Sequence, residues 1–396
     1  MSNFTDFISG GGDAAPIPTA QFVIGESKTF TAPLTGRIKV IITGGGGQGA
    51  FVANASGTPT SNVGDGTGGG AGGYSEKIFN VTAGETFTVT IGSGGATTLA
   101  MNDINSTRVG NNGGNTTFVT ASAAVSVNMT ANGGGGGQIQ SGANTGAYTV
   151  AGGAGGTASG GDFNYTGGAG GSITRVAGNG ANAMTTGGGA VALYGTGYRG
   201  GNIDISVAHN SNYFIGATGG AGVGGNGGDI DFNVVDHRAA VSSAGSATKS
   251  GGFSIGATNV SIDLPHTSGG PTSDPTISII DAQGLGSGGD YEHNSSLSQT
   301  VDGEFGGGSG GGSGFNQSGT SNRYYRVDPA GGFGGGGAVN YISGASSSSG
   351  NGHYAGAGGT GGGGSGAFNG MFHTMTSAGN RRWSPGGDGL CIIMFV

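Results

Sequence analysis

The stretch GATGGAGVGGNGG, residues 216–228, has a glycine at every third position and decides the fold of this chain. The same spacing recurs in residues 331–337 and 356–362. Three residues per turn is the period of the polyproline II helix, which forms no internal hydrogen bonds. Its backbone groups must therefore pair with neighbouring strands, and glycine lets those strands approach closely because it has no Cβ atom. The pattern predicts packed polyproline II rods.

Disorder is the first alternative, because glycine supplies 100 of the 396 residues and is destabilising in regular structure by roughly 0.5–1 kcal/mol relative to alanine. However, aromatic and β-branched residues punctuate the glycine runs, which is not typical of a flexible Gly/Ser linker. Collagen is disfavoured, because no proline occurs between Pro59 and Pro265 and the register of three breaks after a few turns. Ordered rods are the favoured interpretation.

Short β-branched segments separated by turns indicate an antiparallel β-sandwich in residues 21–132. In residues 37–41, charged side chains alternate with apolar ones, as in a strand with one wet and one buried face. The apolar run from Leu390 to Val396 is expected to return to this sandwich and close it. The fold class predicted is all-β, a sandwich plus polyproline II rods with long variable loops. The predicted strands are 22–24, 29–31, 37–42, 75–80, 86–91, 116–119 and 125–132.

The domain organisation follows from changes in composition along the chain. Residues 1–20 are polar and contain Pro16 and Pro18, and we expect them to be a tether that attaches to a virion or fibre subunit. The sandwich spans 21–132 and is closed by 386–396. Residues 133–385 form the glycine-rich region, in which runs of glycine alternate with variable inserts.

The charge balance excludes several classes of partner. With 13 Lys and Arg against 21 Asp and Glu, the net charge is −8, and neither nucleic acid nor membrane insertion is expected. The first residues have no basic and no apolar signal-peptide region, so we expect synthesis in a host cytoplasm. The single cysteine, Cys391, rules out disulfides within the chain, and its apolar neighbours predict a buried thiol.

No catalytic or cofactor motif stands out. Matches to GxGxxG lack the strand-to-helix context of a dinucleotide site, and no lysine completes a phosphate-binding loop. Residues 224–232 resemble a calcium-binding nonapeptide, but Asp231 occupies its apolar position and the copy stands alone. The histidines are too widely spaced for a metal motif. Residues 250–322 contain seven acidic side chains and no Lys or Arg. This acidic segment is either a solvated face or a surface that binds a cation. We therefore predict no enzyme, no cofactor and no metal site.

The inserts carry a different signal, that of binding. Aromatic side chains stand beside Asn, Ser, Gly and Arg, which is the composition of recognition loops. The same aromatics could instead cover the glycine rods, which have no side chains of their own. The candidate receptor-binding residues are Tyr213, Phe214, Arg323, Tyr324, Tyr325, Arg326, Phe372 and Trp383.

The order of several motifs resembles the glycine-rich domain of bacteriophage tail fibres. These motifs are KTFTAP at 28–33, GGGG at 44–47, VTAGETFTVTIG at 81–92, GGNTTF at 113–118 and GGDG at 386–389. The middle of the chain is similar to distal tail-fibre adhesins, whose polyglycine rods carry variable receptor-binding loops. The resemblance implies recognition of a host receptor without catalysis, and a location in the virion.

Three functions remain as hypotheses. The first is a tail-fibre adhesin that binds a bacterial glycan or outer-membrane protein and assembles as a homo-oligomer, with a trimer as the candidate state. The second is a self-assembling structural fibre or capsid-decoration protein, with an antifreeze as a variant that needs a flat threonine-rich face. The third is a glycan depolymerase, which needs two converging carboxylates.

Overall fold

The protein is all-β in the part of the chain that the structure describes, with no helix there. The computed structural model describes residues 21–53, 64–96, 98–99, 108–141, 146–176, 181–190, 195–205, 213–216, 226–227, 230–232, 238–242, 261–265, 291–293, 298–300, 312–313, 334–337, 340–341, 358–359, 361–364, 367–369, 381–382 and 384–396.

The strands are numbered in chain order. The first fourteen are β1 (Gln21–Ile24), β2 (Lys28–Thr31), β3 (Gly36–Thr43), β4 (Phe51–Ala53), β5 (Gly64–Gly66), β6 (Tyr74–Val81), β7 (Thr86–Thr90), β8 (Thr98–Leu99), β9 (Thr116–Ser122), β10 (Asn128–Ala131), β11 (Ile139–Ser141), β12 (Tyr148–Val150), β13 (Ala158–Ser159) and β14 (Phe163–Tyr165). The others are β15 (Ile173–Arg175), β16 (Ala181–Met184), β17 (Ile203–Ile205), β18 (Tyr213–Gly216), β19 (Ile230–Phe232), β20 (Arg238–Ser242), β21 (Ser261–Pro265), β22 (Tyr291–His293), β23 (Ser298–Thr300), β24 (Gly312–Ser313), β25 (Asn340–Tyr341), β26 (Ala367–Asn369), β27 (Arg381–Arg382) and β28 (Leu390–Phe395).

Two five-stranded antiparallel sheets form the predicted sandwich. The first sheet has the order β1-β28-β3-β6-β14, and the second has the order β13-β10-β9-β7-β2. The C-terminal strand β28 lies between β1 and β3, which confirms that the end of the chain returns to the sandwich. The long span between β3 and β28 therefore begins and ends in adjacent strands.

The core of the sandwich lies between the inner faces of these sheets. On β3, Ile38, Val40 and Ile42 are fully buried, while Lys39 and Ile41 on the opposite face are not, as the period of two requires. Phe87 and Phe118 stack in the centre with ring centroids 4.9 Å apart. Aromatic pairs of this kind add to the free energy gained from apolar burial.

The sandwich also takes strands from beyond residue 132. β13 pairs with β10, and β14 pairs with β6, so residues 158–165 contribute an edge strand to each sheet. Four glycine-rich segments lie within residues 21–132, between its strands: 44–50, 67–73, 92–96 and 109–115. Sandwich and glycine-rich segments are thus interleaved along the chain, because each excursion from a sheet passes through a glycine-rich segment and returns through another.

The glycine-rich segments are rods whose hydrogen bonds repeat every three residues. In the rod 44–50, the backbone N–H groups of Gly44, Gly47 and Ala50 donate to carbonyl oxygens of the antiparallel rod 67–73, at 2.9, 2.7 and 2.9 Å. The next set, offset by one residue, donates to the chain at 108–114, and the third set donates to the rod 384–389. A strand in a flat sheet would direct its donors to two sides only. These hydrogen bonds have the period of three that the sequence predicts for glycine-rich rods. Most of the stretch 216–228, on which that prediction rests, lies outside the described residues.

The rod 44–50 has six neighbours. Besides the three chains to which it donates, it accepts hydrogen bonds from the rods 92–96, 132–138 and 361–364. The rod 67–73 likewise bonds to six surrounding segments. This packing requires glycine, since a Cβ atom added at Gly47 would overlap the carbonyl oxygen of Gly135. The lattice of rods is held by backbone hydrogen bonds rather than by an apolar core.

Candidate functional site

The rods give the molecule two ends. The rod 44–50 leaves the sandwich at the end of β3 and leads into β4, and the antiparallel rod 67–73 begins after β5 and returns to β6. β4 and β5 therefore lie together at the end of the rods opposite the sandwich, which we term the far end. The rods that follow along the chain repeat this alternation between outward and returning directions.

Small sheets form at the far end where the rods stop. One has the order β11-β5-β16-β18, another has the order β12-β15-β17-β19, and β4 and β8 pair with β26 and β27. Several of these pairs are parallel, because successive rods that run outward deliver their strands in the same direction. The far-end sheets thus bring together segments from distant parts of the sequence.

Four inserts are flanked on both sides by residues that form β-structure at this end. Their flanking residues lie in the far-end strands or in Arg108, whose backbone bridges to Phe51 of β4. The inserts themselves lie outside the described residues. They are residues 54–63, 100–107, 206–212 and 370–380.

A buried ion pair joins the two four-stranded far-end sheets. Arg175 of β15 donates from Nε to Oδ2 of Asp65 on β5 at 2.6 Å, and its Nη2 donates to Oδ1 of the same carboxylate. Arg175 is 2% exposed and Asp65 is fully buried. The hydroxyl of Tyr148 on β12 donates to Asp65 Oδ2 at 2.8 Å, and the guanidinium lies 5.9 Å from the centre of its ring. These three residues are termed the Asp65 cluster.

The electrostatics of the Asp65 cluster favour its charged pair. Burial raises the pKa of Tyr148, and the negative charge of Asp65 raises it further, so the phenol keeps its proton and remains a donor. Burial alone would lower the pKa of Arg175, but its hydrogen bonds to Asp65 and the charge of that carboxylate raise it overall. The cluster is a fixed bidentate clamp between two sheets.

Buried threonine hydroxyls complete the lattice beside the far-end sheets. Thr185 Oγ1 accepts from the N–H of Gly68 at 3.1 Å and donates to the carbonyl oxygen of Gly171 at 2.7 Å. Thr67 Oγ1 accepts from the N–H of Gln138 at 2.7 Å. These hydroxyls replace backbone partners at rod ends where the period of three stops.

The structure describes only two of the eight predicted receptor-binding residues. Tyr213 and Phe214 open β18 at the far end, where their backbones pair with Ala181 and Asn182 of β16. The other six, Arg323, Tyr324, Tyr325, Arg326, Phe372 and Trp383, lie outside the described residues. Trp383 adjoins Arg382 and Ser384, whose backbones are bonded to Thr98 and Gly49.

Sequence reasoning missed the Asp65 cluster. Its acid and base are 110 residues apart, and neither stands in a recognisable motif. The sequence offered two weak signals of a buried charge. Arg175 stands two residues after Ile173, on the same face of a strand, and Asp65 stands between two glycines.

The family comparison agrees with the lattice of rods. A family model described as a glycine-rich domain matches residues 22–261, which is more than half of the chain. The chain belongs to the glycine-rich domain family. No curated protein matches this glycine-rich protein. The matched region contains most of the sandwich, the Asp65 cluster and β18.

Within the residues that the structure describes, no helix is long and apolar enough to cross a membrane. No group of three or more His, Cys, Asp or Glu side chains is placed there to hold a metal ion.

Proposed function

We propose that this glycine-rich protein is a non-enzymatic bacteriophage tail-fibre adhesin that recognises a host cell-surface receptor with the inserts of its far end. The observation that supports the proposal is the convergence of insert anchors. Four inserts begin and end there, at the end of the rods opposite the sandwich. Binding residues are commonly carried by loops on a rigid scaffold.

The rigidity of the anchors supports the same function. Each rod is bonded to several neighbours, and the Asp65 cluster ties the two four-stranded far-end sheets to each other. A rigid base lowers the conformational entropy lost when loops bind a partner. Variable inserts on such a base could change receptor without changing the fold.

The composition of the inserts favours a bacterial surface glycan or an outer-membrane protein as receptor. The far-end insert 370–380 contains Phe372 and is followed directly by Arg381, Arg382 and Trp383. Aromatic faces stack on sugar rings, and arginine forms bidentate hydrogen bonds with carboxylates and phosphates. The sandwich end is then the end that joins the fibre, through residues 1–20 and within a homo-oligomer, which we propose to be a trimer.

The test is binding of the fluorescently labelled full chain to a panel of bacterial strains and to their purified surface polysaccharides. In one variant Phe372, which lies in the far-end insert 370–380, is changed to Ser. The matched control is Leu34→Ser, an exposed apolar residue between β2 and β3 at the sandwich end. We expect the Phe372 variant to lose at least about tenfold in affinity, since an aromatic residue at the centre of an interface contributes about 2 kcal/mol or more. The control should bind like the wild type.

Self-assembly into a structural fibre is the alternative function, and the same variants distinguish it. If the Phe372 variant binds cells like the wild type but no longer forms the wild-type oligomer in sedimentation velocity, this aromatic residue serves a subunit contact. An absence of binding to every strain and polysaccharide would contradict receptor recognition.

A further inference from the structure

The outer faces of the two sandwich sheets differ in chemistry. On the second sheet, residues that face away from the core are mostly threonines, and they stand beside one another across the strands. Thr29 of β2 pairs with Thr88 of β7, and Thr117 of β9 pairs with both Thr90 and Thr130. Threonine favours strands and tolerates water, so this face is suited to solvent.

The outer face of the first sheet is apolar instead. One row across the sheet joins Val23, Ile392 and Ile41, which are cross-strand partners on β1, β28 and β3. Val23 is 59% exposed, and Ile41 and Ile392 are partly exposed. The apolar face is defined as Val23, Ile41, Ile78, Leu390, Ile392 and Met394.

Polar side chains at the apolar face are largely engaged with one another. Lys39 Nζ lies 2.6 Å from Glu76 Oε1, and Tyr74 donates to the other oxygen of this carboxylate at 2.6 Å. Arg37, at the outer end of β3, is exposed. Contiguous apolar surface on a sheet whose counterpart is threonine-rich indicates a surface that is covered.

The size of the apolar face favours a short segment over a second copy of the chain. Four strands about 4.8 Å apart and about five residues long give roughly 300 Å². A stable interface between two proteins buries about 800 Å² on each partner. The face alone is too small for a stable dimer, but it matches the area that a strand-length peptide with a few large side chains can cover.

One such segment adjoins the face at its C-terminal end. Residues 1–20 lie outside the described residues and lead directly into Gln21, which pairs with Met394 of the apolar face. Twenty extended residues reach about 66 Å, several times the width of the sheet. The segment contains Phe4, Phe7 and Ile8, and it has two aspartates but no Lys or Arg to meet Arg37.

We propose that residues 1–20 dock across the outer face of the first sheet of their own chain, with Phe4, Phe7 and Ile8 on the apolar face. Docking covers the apolar surface and holds the N-terminal segment at the sandwich end. The inference is independent of receptor recognition, because it uses only the sandwich and the segment that precedes it. A fibre partner that takes up residues 1–20 would have to displace them from this face.

Oxidation of Met394 by dilute hydrogen peroxide tests the docking. Conversion of the thioether to the sulfoxide depends on its exposure to solvent, and peptide mass spectrometry follows it residue by residue. The full chain is compared with a full-length variant that has Ser at positions 4, 7 and 8. We expect Met394 to oxidise roughly tenfold faster in the variant. A docking contact of about 1.4 kcal/mol leaves Met394 uncovered about one tenth of the time, and the variant loses that contact. Met129, fully buried in the core, is the internal reference and should stay slow in both.

The outcomes are distinct. Equal rates for Met394 in the two proteins, at every concentration, would overturn the proposal. A wild-type rate that rises on dilution, with a dimer in sedimentation velocity, would show a second copy on the face and would also overturn it. A variant in which Val119→Ser changes the outer face of the second sheet is the matched control, and its Met394 should oxidise like that of the wild type.

Discussion

Arg175 and Asp65 form a bidentate ion pair in which both side chains are almost fully removed from solvent. The pair connects β15 to β5 and so joins two sheets whose other strands carry the insert anchors. Asp65 is also held by the hydroxyl of Tyr148, and the whole pair lies away from water. The consequence for stability depends on whether one charge or both are removed.

Removal of one partner of this pair should be costly. Asp65→Asn or Arg175→Met is expected to lower the free energy of unfolding by about 3–5 kcal/mol, because each leaves a buried charge without its counterion. Urea unfolding at pH 7 measures the change. The double variant Asp65→Leu with Arg175→Met should recover most of the loss, since it leaves no isolated charge. Losses below about 1 kcal/mol in both single variants would contradict the fixed-clamp interpretation.

The lattice of rods makes a sharper prediction about glycine. Gly47→Ala should destabilise the protein by about 3 kcal/mol or more, because the added Cβ overlaps the carbonyl oxygen of Gly135 and the rods cannot separate without losing hydrogen bonds. The control is Gly25→Ala in the turn after β1, where a Cβ meets nothing within 4 Å. That substitution should be neutral or stabilising by up to about 1 kcal/mol. Equal thermal stability of the two variants would contradict the packing of the rods.

Glu85 should make the stability of the sandwich depend on pH. Its carboxylate accepts hydrogen bonds from the backbone N–H of Ala124 at 2.8 Å and of Thr82 at 2.9 Å, and these bonds lower its pKa. A carboxyl group with a lowered pKa stabilises the fold at pH values above its unfolded pKa. That contribution is lost as the pH falls through the folded value.

The variant Glu85→Gln isolates this effect. It should lower the melting temperature at pH 7 but not at a pH below the folded pKa, where the wild-type carboxyl is also neutral. Glu26→Gln, at an exposed glutamate in the turn after β1, is the matched control. A Glu85→Gln deficit that is the same at both pH values would show that the lowered pKa is not the cause.

The buried thiol reports the integrity of the sandwich. Burial raises the pKa of Cys391 to about 12, and the side chain is fully buried on β28, an interior strand of the first sheet. Since the thiolate is the reactive species, the thiol should not react with a disulfide reagent at pH 8 in the folded protein. In urea it should react fully. Rapid labelling under native conditions would mean that β28 is not held between β1 and β3.

The sandwich and the period of the rods could be predicted from the sequence because both depend on local patterns. Charged and apolar side chains alternate along residues 37–40 of β3, and β28 is an uninterrupted apolar run. The glycine register of three is also the spacing of the hydrogen bonds of Gly44, Gly47 and Ala50. Both patterns follow from the geometry of a single strand or rod.

The partners of each rod could not be predicted. Glycine has no side chain to select a neighbour, so nothing in the stretch GGGG at 44–47 specifies that it lies between the rods 67–73 and 384–389. The Asp65 cluster is hidden for the same reason, because its members meet only after the rods have aligned. The recognition residues proposed in the inserts stay predictions.

The most direct test of receptor recognition by the far end is hydrogen exchange of the full chain with and without a surface polysaccharide that it binds, followed by mass spectrometry. The account predicts slowed exchange in peptides that contain the far-end inserts, residues 54–63, 100–107, 206–212 and 370–380, with the turns of the sandwich unchanged. Protection confined to the sandwich, with exchange at the far end unaltered, would contradict it.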